Sequence, residues 1–389
     1  MEGDLPIQIV VYDKDYNRKG YVMAPLSVTI LLAWNVPGQT VFELDASHGR
    51  VNDLVTPGAR CVVRYRPEGA AAWMTVMTGM VSAASGKGGP ENATREFTVL
   101  DDLNALNEMI SYPDPDEVLS DQSPASSYVN TGPLETVFKQ MVSANITGQG
   151  IPKLSVQASA GLGDTVTIRH RMKNIGEHML DAGIRRGLGW RIRQSGTSRV
   201  LQAWEPATHP RVLTEESGIV HSAEFTIAPP EVTRCVVGIG SKNDNARSYV
   251  GPPTAGFADT AAEALWGIRR QEYIDAQDIP TDAGNPTQEA RERAQERLLE
   301  GKAKASLKAE LAETASFRFG VAFNLGDTVS IKPSGAAVIT DRVREVEITW
   351  DTDGLQVVPR VGEWTDTVAN AQWKAIRKAL RRVNDLGTV

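Results

Sequence analysis

Five histidines, two cysteines and a few adjacent acid pairs are the side chains with which this sequence could do chemistry. His48, His170, His178, His209 and His221 are scattered, and the nearest pair, His170 and His178, stands eight apart across a strand-to-helix junction. Two ligands aimed from one helix face need i, i+4 spacing, so the pair reads as ordinary imidazoles rather than zinc ligands. Asp13-Lys14-Asp15-Tyr16-Asn17 begins like a calcium loop, but Arg18 stands where glycine is required and Ala24 where the bidentate glutamate belongs. A solvated hairpin turn accounts for the same residues. Asp101/Asp102 and Glu215/Glu216 could supply an acid and a base, yet no glycosidase pattern surrounds them. There is no Gly-x-Ser-x-Gly elbow to present a serine. The glycines of 237–242 lack the phosphate-loop order; those of 79–87 are spaced too far apart, and Gly88 replaces the Ser/Thr that would hold magnesium. Cys61 and Cys235 each open an apolar Cys-Val-Val run, which is the setting of a buried thiol. The expectation is no catalytic residue, no metal ligand and no cofactor, hence not an enzyme.

Contact signals are stronger. Residues 366–386 have helical spacing, with Asp366 near the start and Gly387 just past the end. Trp373, Ile376, Leu380 and Val383 form one stripe, while Lys374, Arg377, Lys378, Arg381 and Arg382 occupy the other faces. Trp373, Ile376, Arg377, Leu380 and Arg381 are therefore candidates for docking on an acidic partner or a neighbouring subunit. The alternative is that the stripe packs on its own chain and the basic face is solvated. Trp73, Trp204 and Trp364 could serve as carbohydrate platforms, although a strand tryptophan more often belongs to a core.

The elements that must position these residues belong to a chain of 389 residues, long enough for two or three domains. Its 34 glycines and 21 prolines favour turns and β-structure. With 41 basic against 48 acidic residues, the net charge of −7 argues against non-specific nucleic-acid binding, which needs a basic surface. No signal-peptide pattern opens the chain. The most apolar stretch, Val22 to Trp34, is interrupted by Pro25 and too short for a membrane span, so no membrane anchor is expected.

Residues 6–101 read as short strands between turns at Pro37-Gly38 and Pro57-Gly58, with a Gly-rich loop at Ser85 to Pro90. Asp101 caps a short helix, 111–130 is a long Ser/Pro/Asp-rich loop, and Pro133 opens a firm helix. Strand 166–168, a helix from Asn174 to Arg186 and a hairpin about Ser195-Gly196 complete a compact α+β module. Strands return at 224–227 and 234–239. A helical patch at 259–265 and a charged helix capped by Asn285 follow. From Ala303 to Leu311 the period is two, which predicts a half-exposed strand despite its Ala/Lys/Glu content.

One phrase recurs. Leu162-Gly163-Asp164-Thr165-Val166-Thr167-Ile168 reappears as Leu325-Gly326-Asp327-Thr328-Val329-Ser330-Ile331, and more weakly as Pro57-Gly58-Ala59-Arg60-Cys61-Val62-Val63. The first and last copies in the chain each lead into a β-hairpin, the later one turning at Asp351-Thr352-Asp353-Gly354. The fold class expected is mainly β with α+β insertions: two tube-like β-barrel or sandwich domains, a smaller α+β module and a C-terminal helix. The first β-domain spans 1–101 and the α+β module 102–220. The second β-domain spans 221–365, interrupted at about 259–300, and the basic helix 366–389 closes the chain.

Several stretches together resemble the tail-hub, or baseplate-hub, minor tail proteins of long-tailed phages, especially phages of actinobacteria. They are Pro57-Gly58 and the strands into Val99-Leu100-Asp101-Asp102-Leu103, Leu162-Gly163-Asp164 leading to the Asn174 helix, and Trp266-Gly267-Ile268-Arg269-Arg270-Gln271-Glu272-Tyr273-Ile274-Asp275. Phe323-Asn324-Leu325-Gly326-Asp327-Thr328-Val329 and Val357-Val358-Pro359-Arg360-Val361-Gly362 complete the set. The resemblance implies a structural virion protein of the tail tip, assembled in the host cytoplasm. It implies a homotrimer whose two β-domains per chain adapt a sixfold tube to a threefold tip. Its implied neighbours are a distal tail protein, a tape measure, and tip or fibre proteins. DNA would pass through the channel without specific binding, helped by an acidic lining. The alternatives are a cell-wall (peptidoglycan) hydrolase and a carbohydrate-binding tail module.

Overall fold

The computed structural model describes residues 5–89, 92–122, 125, 127–240, 247–279, 281, 285–302 and 304–362. The chain is mainly β with α+β insertions. Thirteen of the strands among the described residues join in one sheet. They are β1 (Ile7–Tyr12), β2 (Arg18–Val22), β3 (Ser27–Ala33), β4 (Val36–Asp45), β5 (Arg60–Tyr65), β6 (Met74–Lys87) and β7 (Thr94–Asp101). The others are β8 (Thr208–Thr214), β9 (Val220–Ala228), β10 (Lys304–Leu311), β11 (Thr328–Lys332), β12 (Ile339–Asp351) and β13 (Gly354–Gly362). Their order is β9-β10-β13-β12-β3-β4-β7-β6-β5-β1-β2, with β11 beside β12 and β8 beside β11.

The alternation of apolar residues explains the sheet's single core. Ile30, Phe42 and Phe97 from the first half and Val329, Val346 and Ile348 from the second all face inward and are fully buried in one cluster. The halves meet where β3 runs antiparallel to β12, with Ile30 opposite Ile348 and Leu32 opposite Val346.

The two halves repeat one pattern of neighbours. In the first, β1-β5-β6-β7-β4-β3 lie side by side; in the second, β8-β11-β12-β13-β10-β9 do, the partners matching in chain order. The likeness extends to irregularities. Val81 pairs with Val99 before a bulge, after which Ala83 pairs with Thr98. Val343 pairs with Val361 before a bulge, after which Glu345 pairs with Arg360. The Val81 amide donates to the Ala59 carbonyl at 2.9 Å, and the Val343 amide to the Asp327 carbonyl at 2.8 Å. The two acceptors occupy the same place in the recurring phrase, just after its glycine. That glycine is left-handed in both copies, φ +81° at Gly58 and +91° at Gly326, where a side chain would be strained. One difference is plain: β1 is antiparallel to β5, whereas β8 is parallel to β11.

A second core fills the α+β module. Helix α1 (Leu134–Gly148) packs Phe138 and Met141, and α2 (Ile175–Arg186) packs Met179, against Trp190 and Ile192 of the strand Gly189–Ser195. The Asn174 side chain caps α2 by accepting from the Glu177 amide at 2.9 Å, as its position predicts. After Asp101 the chain makes a 3-10 helix, Asp102–Glu108, rather than an α-helical turn.

A third, small core is built by the segment inserted in the chain between β9 and β10. The strand Arg234–Ile239 does not join the large sheet. It is the centre of a three-stranded sheet with Ser248–Val250 and Gln271–Ala276, covered by α3 (Pro286–Glu300). Cys235, Val237 and Ile239 point at Ala290, Ala294 and Leu298. Period two identifies a strand but not the surface that will cover it, so this placement is invisible in sequence. The expected loop at Ser85 to Pro90 also differs. β6 continues as strand to Lys87 because β7 supplies a ladder as far as Thr94, which outweighs the weak strand propensity of Ala and Gly. Likewise 111–130 is not wholly loop, since the strand Tyr128–Pro133 begins within it.

Candidate assembly interface

The acid pair at Asp101 and Asp102 is a structural joint. Arg60 on β5 donates through Nη2 to both Asp102 oxygens at 2.6 Å, and the Thr78 hydroxyl on β6 donates to Asp102 Oδ2 at 2.6 Å. The side chains of Arg60 and Asp102 are only 7% and 2% exposed. Asp101 accepts from the Leu103 amide at 2.9 Å, and burial pushes its carboxyl up to about 6 against the pull of Arg193. These contacts fasten the large sheet to the α+β module. So does Asn35, at φ +52° in the turn after β3: it donates to the Leu188 carbonyl and accepts from the Trp190 amide, both at 2.8 Å.

His170 and His178 are close, with ring centroids 4.6 Å apart, because the strand Thr165–His170 ends against α2. They border a cleft of about 600 Å³ between α2 and α3. Its charged walls are tied to one another, Arg169 to Glu289, Arg185 to Glu296 and Arg297 to Glu272, at 2.8–2.9 Å. Among the described residues no cluster of three or more His, Cys, Asp or Glu side chains could hold a metal ion. Burial, with His178 and Lys173 adding to it, pushes His170 down to about 3. An unfolded histidine takes up a proton near 6.5. His170 therefore supports the fold fully above about pH 6.5 and loses that contribution as pH falls toward its folded value. Asp101 has the opposite sign, since the folded state holds its proton between its ordinary range and about 6. In a His170→Gln variant the deficit in unfolding midpoint relative to the parent should therefore be largest at pH 7.5 and narrow by pH 5. A deficit independent of pH would show that His170 is not held neutral.

The remaining sequence candidates have other roles. Asp13 Oδ1 accepts from the Asp15 and Asn17 amides at 2.9 Å, closing a hairpin turn. Glu215 and Glu216 lie in an exposed turn. Trp204 meets the Trp34 ring edge-on at 5.4 Å, and Arg66 covers the Trp73 ring at 4.8 Å. Cys61 and Cys235 are buried free thiols, pushed up to about 12 and about 11 chiefly by burial. Trp364 and the candidate contact residues Trp373, Ile376, Arg377, Leu380 and Arg381 lie outside the described residues. No helix among those described is long and apolar enough to cross a membrane.

Two strand edges stand out instead, and no residue-type motif marks either of them. β9 pairs with β10 along one side; its other side has no strand partner among the described residues. Phe225 and Ile227 on β9 are 42% and 55% exposed, although Ala223 on the same face packs against the main core. β6 pairs with β5 through Met74 to Met80 and with β7 from Gly79 onward. From Ala83 to Lys87 its outer side likewise has no strand partner among the described residues, and all five residues are exposed. A long unpaired edge beside exposed apolar side chains is a template for a further strand, and isolated proteins normally blunt such edges.

Comparison with known proteins follows the fold. The chain is similar to the 43 kDa tail protein of prophage MuSo2 from Shewanella oneidensis, at 14% identity and TM-score 0.53, covering 91% of this chain and 98% of that one. It is also similar to prophage tail protein gp18 from Listeria monocytogenes, at 11% identity and TM-score 0.53, covering 95% and 98%. A tail protein from Neisseria meningitidis matches at 12% identity and TM-score 0.50, covering 92% and 96%. No curated protein sequence matches the chain. The profile of a family described as Siphovirus ReqiPepy6 Gp37-like protein matches residues 8–363.

Proposed function

We propose, for a chain that belongs to the Siphovirus ReqiPepy6 Gp37-like family, that it is a tail-hub protein. Three copies close a ring about the central channel at the tail tip, and each supplies two equivalent β-units, β1–β7 and β8–β13. Six units then face a sixfold tube while three α+β modules and three inserted layers keep threefold symmetry. The observation that supports this most directly is the strand order used twice in one chain, down to the bulge and the glycine turn. Two like units joined edge to edge within one chain are what matching sixfold to threefold requires. The role is structural: the ring surrounds the channel for DNA and tape measure and touches neighbouring tail proteins.

The test is stoichiometry. The assembled protein, by native mass and by imaging of tail tips, is expected to contain three copies of the 42.2 kDa chain in threefold arrangement. One copy, or six, per tail tip would overturn the reading.

A further inference from the structure

We infer that the free edge of β6 and the free edge of β9 are two halves of one interface, and that β6 of one copy pairs antiparallel with β9 of the next. The inference rests on the ring proposed above but specifies which strands close it and in what register.

The repeat supplies the register. Val81 corresponds to Val343 through the shared bulge, so Ala83, Ala84, Ser85, Gly86 and Lys87 correspond to Glu345, Val346, Glu347, Ile348 and Thr349. On the other side, β4 and β10 correspond through their pairing with β7 and β13. Thr40 faces Val99 as Ala309 faces Val361. Ile30 faces Thr40 as Ala223 faces Ala309, which equates Leu32 with Phe225. Within the chain, Val346 pairs with Leu32 and Glu347 with Leu31. Between copies, the same geometry sets Ala84 opposite Phe225 and Ser85 opposite Glu224.

Three observations favour this occupant over any other strand. The exposed stretch of β6 has the same place in its unit as the stretch of β12 that β3 covers. The faces agree: Ala84 stands opposite Phe97, a core residue, and Phe225 stands opposite Leu307, another core residue, so both lie on the core face of the sheet, at its exposed margin. A slip of one residue would reverse that. The sizes also agree: β6 offers Ala84 where β9 offers the large Phe225, and Gly86 where it offers Ala223. A pairing between two different edges is head-to-tail and closes into a ring if the rotation permits.

Paired cysteines test the register in the full chain. Directly opposed residues in an antiparallel pair lie ~4.5–5.5 Å apart at Cα, within disulfide reach. Both Ala84→Cys/Phe225→Cys and Ser85→Cys/Glu224→Cys should yield, on oxidation of the assembled protein, a covalent ladder ending at three chain masses. The slipped pair Ala84→Cys/Glu224→Cys should not. The native thiols are buried and leave the background low. As a check free of substitutions, the amides within 83–87 and 222–226 of the unaltered chain that face away from β7 and β10 should become protected from hydrogen exchange on assembly. A trimer in which these amides stay unprotected, or the slipped pair links instead, overturns the register while leaving the ring intact. A chain that stays monomeric in the tail overturns both.

Discussion

Replacing Asp102 with alanine is expected to cost the folded chain about 3–5 kcal/mol, the usual loss when one partner of a buried ion pair is removed. The reason is what stays behind. The Arg60 guanidinium, nearly closed off from solvent, would face no carboxylate, and the Thr78 hydroxyl would lose its acceptor. Water does not reach the site freely, so the desolvated charge is uncompensated. The contact also bridges two layers. Thr78 accepts from the Gln194 amide at 3.1 Å, and Arg193 donates to the Val76 carbonyl at 2.6 Å, so the same seam holds the α+β module on β5 and β6. Denaturant unfolding measures the loss, and proteolysis within 102–207 should become faster. Arg60→Met combined with Asp102→Leu should recover much of the stability, because removing both charges leaves none buried alone. A single Asp102→Ala variant within about 1 kcal/mol of the parent would mean that this seam contributes little.

The second large effect is expected at the joint between the two β-halves. Ile348→Ala should cost about 2–5 kcal/mol, and Ile348→Val only about 0.5–1.5, following the volume removed from a close-packed core. Ile348 and Ile30 are fully buried and directly opposed, and they stand 318 residues apart in sequence. Collapse of the cavity would have to move either β3 or β12, and both are held on their other sides, β3 by β4 and β12 by β13. The measurement is again the denaturant midpoint, compared at unchanged slope. An alanine variant as stable as the valine variant would show that the joint repacks and does not hold the halves rigidly together.

Both predictions turn on contacts between residues far apart in the chain, and this divides what could be read from the sequence from what could not. Asn174 and Asn285 announce their helices because a cap acts on amides three residues away. Gly58, Gly163 and Gly326 announce left-handed turns because only glycine adopts that backbone freely, and all three do. In β10 the period of two overrode helix-forming composition because Leu307, Ala309 and Leu311 met a core. The acid pair at 101–102, which the sequence offered as an acid and a base, serves a joint. The described residues do not include 366–386, where the spacing predicts a basic helix carrying Trp373, Ile376, Arg377, Leu380 and Arg381.

What the amino acids determined alone is therefore local: helix caps, left-handed glycine turns, which faces are apolar, and that a glycine phrase recurs; the expected turn at Pro37-Gly38 instead lies within β4. Tertiary structure decided which strands are neighbours. It sent Arg234–Ile239 to a separate small core, joined β3 to β12, extended β6 past its expected loop, and left two edges without a strand partner among the described residues. The physical reason is that ladder hydrogen bonds join backbone groups common to every residue. Side-chain types mark a strand's faces, but only the assembled sheet settles its neighbours.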